Sequence, residues 1–175
     1  FVGRCVPNKR IEDALHAFYY FQKYVEPNSR FIHAGSYYGL EKYHAYLLTI
    51  SSQLELRNVH FTNAVSQPAL NALYRSATLF LCMSEHEGFC IPLIEAMLND
   101  VPVMAYAAGA VPETMGGAGV LFREKRFDLV AEMMGRLAGD AGLRDAVVRA
   151  QRARLTGYEK RDLAGELRQH LQPLL

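Results

Sequence analysis

The amino-acid sequence predicts an α/β fold, a parallel sheet flanked by helices with a helical segment at its C-terminus. Short apolar runs rich in β-branched residues alternate with amphipathic stretches of helical period, the pattern of successive βαβ units. Residues 79–83 are apolar almost throughout, as a central strand covered on both faces requires. At 175 residues and 50% hydrophobic, the chain can bury one full core and is short for two. Residues 1–175 are therefore read as a single domain.

Phe1-Val2-Gly3-Arg4 reads as the tail of a strand whose beginning is missing, and no Met precedes it, so a fragment of a longer protein is expected. A first helix is predicted over residues 9–25, because Ile11, Leu15, Phe18 and Phe21 share one face. Glu26-Pro27-Asn28 stops it, and a strand over 30–34 runs into Gly35. A second helix carries the stripe Leu40, Tyr43, Leu47, Ile50 and Leu54, and residues 59–62 form the next strand. A short helix over 67–75 leads to the central strand 79–83 and the turn Ser84-Glu85-His86-Glu87-Gly88. The next helix spans 91–98, with Pro92 in the first turn where its missing N–H costs nothing and Asn99-Asp100 at its end. A strand over 102–106, a Gly-rich connection over 109–119 with one helical turn and a last strand over 119–122 complete the sheet. Three helical stripes follow: Phe127, Val130, Met134 and Leu137; then Leu143, Val147 and Ala150; then Leu163, Leu167 and Leu171.

Composition narrows the function. Nineteen basic against eighteen acidic residues leave a net charge of +1, so no overall field draws the chain to nucleic acid or an anionic bilayer. Any anion site must be local. Cys5, Cys82 and Cys90 are odd in number and lack Cys-x-x-Cys spacing, which argues against a disulfide framework and a zinc site and for a reducing, cytoplasmic setting. No apolar run is long enough to span a bilayer, and no charged leader precedes a hydrophobic stretch. Met133 and Met134 read as core. Arg149, Arg152 and Arg154 read as a solvated helix face, with membrane-surface contact as the alternative.

Ligands of open α/β sheets bind beyond the carboxyl ends of the strands. That places the loops 3–9, 35–39, 63–67, 84–91 and 107–113 at the site. Arg4 and Lys9 can converge on one crevice and suit a diphosphate, Arg as a planar fork and Lys as a point charge. On spacing alone, both are equally readable as exposed loop cations. Glu95, near the start of its helix, leans back toward the loop of Glu87, so both acids are expected to face one site. The same helix start should leave N–H groups open from about Cys90 to Leu93, an anion site aided by the helix dipole. A nucleoside-diphosphate sugar satisfies all of these groups: the N–H donors hold phosphate and the carboxylates accept from sugar hydroxyls. The plainer alternative, with Glu95 as a dipole partner and Glu87 as a solvated acid, stays open on these residues alone.

The block Ser84-Glu85-His86-Glu87-Gly88-Phe89-Cys90-Ile91-Pro92-Leu93-Ile94-Glu95-Ala96-Met97 has two glutamates seven residues apart, and it resembles the signature of the family-4 (group 1) retaining glycosyltransferases of GT-B fold. Phe1-Val2-Gly3-Arg4, with Pro7 and Lys9, is similar to that family's Gly-Arg…Lys donor loop. Pro102-Val103, Gly109 and Pro112-Glu113 match its next block, so the resemblance runs in order from Phe1 to about Phe122.

The resemblance implies a Rossmann-like C-terminal half of a GT-B fold whose N-terminal acceptor domain is absent. It implies Gly3, Arg4 and Lys9 at the diphosphate, Glu95 at the ribose hydroxyls and Val65 against the base. Glu87, with the backbone of Gly88, Phe89, Cys90 and Ile91, would contact the transferred sugar and the distal phosphate. Arg4, Lys9 and Glu87 are then the catalytic candidates, because fixed cations and N–H donors favour the charge that grows on the leaving diphosphate. No cofactor or metal is implied; the partners are a UDP- or GDP-linked sugar and a glycan or lipid-linked acceptor, at the cytoplasmic face of a membrane or in the cytoplasm. Cys90 departs from the family, which often has Gly there, and Asn99-Asp100 replace a common helix-ending Gly; Cys90 reads as an apolar filler and His86 as a solvated loop residue. Alternatives within this architecture are a sugar-nucleotide epimerase or a phosphorylase, and outside it a non-catalytic nucleotide-binding module. A dinucleotide dehydrogenase is disfavoured, since no Gly-x-Gly-x-x-Gly follows the first strand.

Overall fold

A computed structural model describes residues 1–172; the last three residues of the expected domain lie outside the described part. Five short strands form in the expected order: β1 (Phe31–His33), β2 (Val59–Phe61), β3 (Phe80–Cys82), β4 (Val103–Tyr106) and β5 (Val120–Phe122). The helices are α1 (Ile11–Tyr24), α2 (Glu41–Gln53), α3 (Gln67–Ser76), α4 (Ile91–Leu98), α5 (Val111–Met115), α6 (Phe127–Gly139), α7 (Ala141–Glu159) and α8 (Leu163–Leu171). Every strand pair is parallel, as helical crossovers demand.

The sheet is divided into two ladders, β1-β2 and β3-β4-β5. The strand expected at Phe1 to Arg4 is reduced to one bridge between Val2 and Ala34. Gly3 N–H donates to Ala34 O at 2.9 Å, and Ala34 N–H to Phe1 O at 3.0 Å. The Phe1 ring stacks on His33 of β1 and on Phe80 of β3, with centroids 5.7 and 6.4 Å away, so side chains link the ladders. A Cβ on Gly35 would lie 1.8 Å from the Gly3 carbonyl oxygen. Only glycine allows the chain to leave β1 this close to the first loop.

Alternation along β3 and β4 sorts the core into two layers. Leu81, Met83 and Met104 face Ile11, Leu15, Phe18, Val130 and Leu137 on the α1 and α6 side. Phe80, Cys82, Val103 and Ala105 face Tyr74, Leu93, Met97 and Met115 on the other. Each large side chain so buried contributes about 1.5–3 kcal/mol. Met134 is buried and Met133 packs beside it, as expected.

Three expectations change. Lys9 does not begin α1: Pro7–Lys9 forms a 3-10 turn, and Arg10 in the left-handed region (φ 50) breaks it from the helix that starts at Ile11. On α7 the buried pair is Val147 and Gln151, whereas Leu143 is 41% exposed. The α8 stripe Leu163, Leu167 and Leu171 is exposed. Periodicity identified shared faces there, but among the described residues no layer covers them.

The Arg149, Arg152 and Arg154 face is also not simply solvated. Arg152 grips Asp100 with two bonds of 2.7 Å, and Arg154 donates to Glu113 O at 2.6 Å and Thr114 O at 3.1 Å, satisfying carbonyls at the end of α5. Arg149 and Arg152 are exposed, and Arg149 has no ion-pair partner among the described residues.

Candidate functional site at the β3–α4 turn

The turn from β3 into α4 is held by its neighbours through the backbone. Glu85 N–H donates to Asn8 O at 2.9 Å, and Asn8 Nδ2 donates to His86 O at 3.2 Å. From the other side Ala110 N–H donates to Glu87 O at 3.1 Å. Gly109 (φ 55) sits so near that a Cβ there would come within 2.9 Å of the Glu87 carbonyl oxygen.

Fixed in this way, Glu87 receives Lys9: Nζ lies 2.5 Å from Oε1, with side chains 16% and 9% exposed. The Lys9 stem passes over Gly3, whose ideal Cβ would meet its Cε at 3.5 Å. Gly3, Lys9 and Glu87 are thus brought together as one unit. Arg4 is exposed, and among the described residues it has no ion-pair partner. Glu85 is diverted away: its carboxylate accepts from Lys125 at 2.8 Å, and Lys125 also holds Asp13 at 2.7 Å.

Glu95 points elsewhere. The Tyr74 hydroxyl on α3 donates to its Oε2 at 3.0 Å and lies 3.4 Å from Pro92 O. The side chain leans back along α4 as expected, but its partner is Tyr74, and among the described residues none bridges it to Glu87. The two acids, expected to face one site, thus take separate protein partners, Lys9 for Glu87 and Tyr74 for Glu95. Burial, and then the Glu95 carboxylate, push the Tyr74 hydroxyl up, so it stays a hydrogen-bond donor. Val65 is half-buried in the loop between β2 and α3.

The α4 start is open but displaced from the expected position. Leu93 N–H already donates to Cys90 O at 3.0 Å, and Pro92 has no N–H. Among the described residues the N–H groups of Gly88, Phe89, Cys90 and Ile91 have no protein acceptor. Cys90, the N-cap, has φ 63 and makes no side-chain cap. This left-handed backbone is what glycine adopts most cheaply. Asp100, in the other glycine-like position, also has positive φ (55).

Residues not singled out in the sequence support this turn from behind. Thr114 Oγ1 donates to Phe89 O at 2.5 Å, and the Tyr158 hydroxyl donates to Thr114 O at 2.9 Å. The Phe89 and Tyr158 rings meet edge to face at 5.8 Å. The only advance signal was Arg154 and Tyr158 one helical turn apart. A cleft of about 830 Å³ opens at the opposite end among Phe1, Phe31, Phe80 and Met134, and contains none of the polar candidates.

Such an arrangement can bind an anion by N–H groups and cations while a carboxylate accepts from hydroxyls. Residues 1–154 match the family model "Glycosyl transferases group 1". The GDP-mannose:cellobiosyl-diphosphopolyprenol alpha-mannosyltransferase of Xanthomonas campestris is 32% identical over 149 residues, 80% of this chain and 37% of that protein. The MMP alpha-(1->4)-mannosyltransferase of Mycolicibacterium hassiacum is 36% identical over 101 residues, 51% of this chain and 25% of that protein. The chain thus spans well under half the length of these relatives. Among solved structures, the C-terminal domain of the glycosyl transferase group 1 family protein LpcC from Francisella tularensis is similar with a TM-score of 0.76 and 23% identity, covering 91% of this chain and 84% of that one. Anabaena HepE in complex with UDP and glucose gives a TM-score of 0.76 at 23% identity, covering 99% of this chain and 48% of that one.

Proposed function

The chain belongs to the group 1 glycosyl transferases, and on that footing we propose that it is the donor-binding domain of a hexosyltransferase that takes a sugar from a nucleoside-diphosphate donor. The observation that carries this reading is the run of open N–H groups at Gly88, Phe89, Cys90 and Ile91 beside the Lys9–Glu87 pair. The N–H groups receive the phosphate nearest the sugar, and Arg4 and Lys9 share the diphosphate across Gly3. Glu95 accepts from the ribose hydroxyls, held by Tyr74, and Val65 lies against the base. Glu87 orients the transferred sugar and keeps Lys9 in place.

Catalysis by this half is electrostatic. As the glycosidic bond breaks, negative charge grows on the leaving diphosphate, and preorganised donors stabilise that charge more than the ground state. Such donors do the work that a metal performs in other sites, so no cofactor is required. The Xanthomonas campestris relative is named for GDP-mannose, and its 32% identity over 80% of this chain favours a GDP-linked donor over a UDP-linked one. A second domain brings a glycan or lipid-linked acceptor and excludes water, and transfer proceeds with retention in polysaccharide or glycoconjugate synthesis at the cytoplasmic face of a membrane. Among the described residues no helix is long and apolar enough to cross one.

The two glutamates test the assignment. Glu95→Gln should weaken nucleotide affinity by about 1.5–3 kcal/mol, the value of a hydrogen bond to a charged acceptor. Glu87→Gln, in the chain extended by its acceptor domain, should reduce turnover more than nucleotide affinity. Equal losses of nucleoside-diphosphate affinity from both changes would refute this division of roles.

A further inference from the structure

Beneath the β3–α4 turn, two thiols and one carboxylate converge. Cys82 Sγ, at the end of β3, lies 4.0 Å from Cys90 Sγ, at the start of α4. A Glu87 carboxylate oxygen completes a triangle whose three atoms all lie within 4.8 Å of one another. Both thiols are buried, and Glu87 reaches the surface through its 9% exposed side chain. We propose that Cys82, Glu87 and Cys90 form a binding site for a thiophilic divalent cation, zinc by its ligand set, and that loading it withdraws Glu87 from the sugar-orienting role given above.

The dimensions agree with this chemistry. Two thiolates on a tetrahedral zinc, each about 2.3 Å from it, stand about 3.8 Å apart, against 4.0 Å between these sulfurs. The carboxylate oxygen, within 4.8 Å of both sulfurs, has to draw closer to reach bonding distance. Three protein ligands leave a fourth position for water entering past Glu87. Two sulfurs and one carboxylate select zinc or cadmium over magnesium or calcium, which take oxygen ligands.

Charge balance favours the exchange in a buried place. With both thiols protonated, the Glu87 carboxylate and the Lys9 ammonium sum to zero. Zinc replaces the two thiol protons, which pass to solvent, and the sum is again zero. Lys9, 2.5 Å from Glu87 Oε1, compensates the carboxylate charge in both states. Ser84 Oγ, 3.5 Å from Cys82 Sγ, can reverse its role and donate to the thiolate, as partners of metal ligands commonly do. The eight-residue separation of the cysteines resembles no zinc motif. The strand-to-helix turn is what brings them together.

The site depends on these side chains and not on the glycosyltransferase reading, and its test uses no nucleotide or acceptor. The 175-residue chain, reduced and freed of metal, is titrated with Co²⁺ under nitrogen. The expected result is a sulfur-to-cobalt charge-transfer band in the near ultraviolet that saturates at one equivalent and is bleached by one equivalent of Zn²⁺. Zinc loading should release protons in weak buffer. Cys82→Ser or Cys90→Ser should abolish the band, Cys5→Ala should keep it, and Glu87→Gln should keep the band but weaken binding by about tenfold or more. The wild-type titration decides the matter even where a cysteine variant fails to fold. No charge-transfer band with millimolar Co²⁺, no proton release on zinc loading, or a band that persists in folded Cys82→Ser would overturn the proposal.

Discussion

Lys9 Nζ and Glu87 Oε1 lie 2.5 Å apart although the residues are separated by 78 positions, and this pair closes the first loop onto the β3–α4 turn. With side chains only 16% and 9% exposed, neither charge is well solvated if the other is removed. Lys9→Met is expected to destabilise the domain by about 2–3 kcal/mol, and adding Glu87→Gln should recover at least about 1 kcal/mol of that. Urea unfolding of the wild type, both single variants and the double variant measures the coupling. Additive losses would show that the pair does not hold the loops together.

Gln151 fastens α7 to the sheet. Its side chain is fully buried, accepting from Val103 N–H and donating to Val101 O, both at 2.9 Å. Gln151→Leu keeps the volume but leaves two buried backbone groups unpaired, so a loss of about 2–4 kcal/mol is expected. A change below about 0.5 kcal/mol in denaturant unfolding would mean that water or local rearrangement satisfies these groups.

His33 introduces a pH dependence. It is fully buried on β1, neither ring nitrogen has a hydrogen-bond partner among the described residues, and burial pushes it from 6.5 down to about 4. The unfolded chain therefore takes up this proton below its ordinary value, while the folded chain resists until about pH 4. Its contribution is complete above pH 6.5 and is lost as pH falls from 6.5 through about 4. Relative to pH 7, about 2 kcal/mol should be lost by about pH 4.5, and His33→Leu should remove that part of the acid slope. Identical slopes in the variant and wild type would exclude this origin.

The order of strands and helices was legible because alternation and helical period record which faces are apolar. The glycine-like conformations at Cys90 and Asp100 were legible too, since these residues depart from a pattern that otherwise has glycine. The supports of the site were not. Tyr74, Thr114, Arg154 and Gln151 act on groups between 18 and 50 positions away, and a lone polar residue on a helix face carries no mark of its partner. Glu95 falls on α4 as expected but beyond its first turn, and its direction is set by Tyr74 from another helix. Leu143 and the α8 leucines show the opposite failure, a regular apolar stripe that stays exposed among the described residues.

Nucleoside-diphosphate binding by the isolated chain, measured by calorimetry with GDP, UDP and ADP, tests the central claim most directly. Arg4, Lys9 and the open N–H groups at 88–91 all lie within these residues, so one of the three nucleotides is expected to bind with measurable heat, GDP first. Affinity should fall as salt rises, because the charges that hold the diphosphate are screened, and Arg4→Ala should weaken it by about tenfold or more. No heat from any of the three nucleotides, or binding that neither salt nor Arg4→Ala alters, would contradict the donor-binding account.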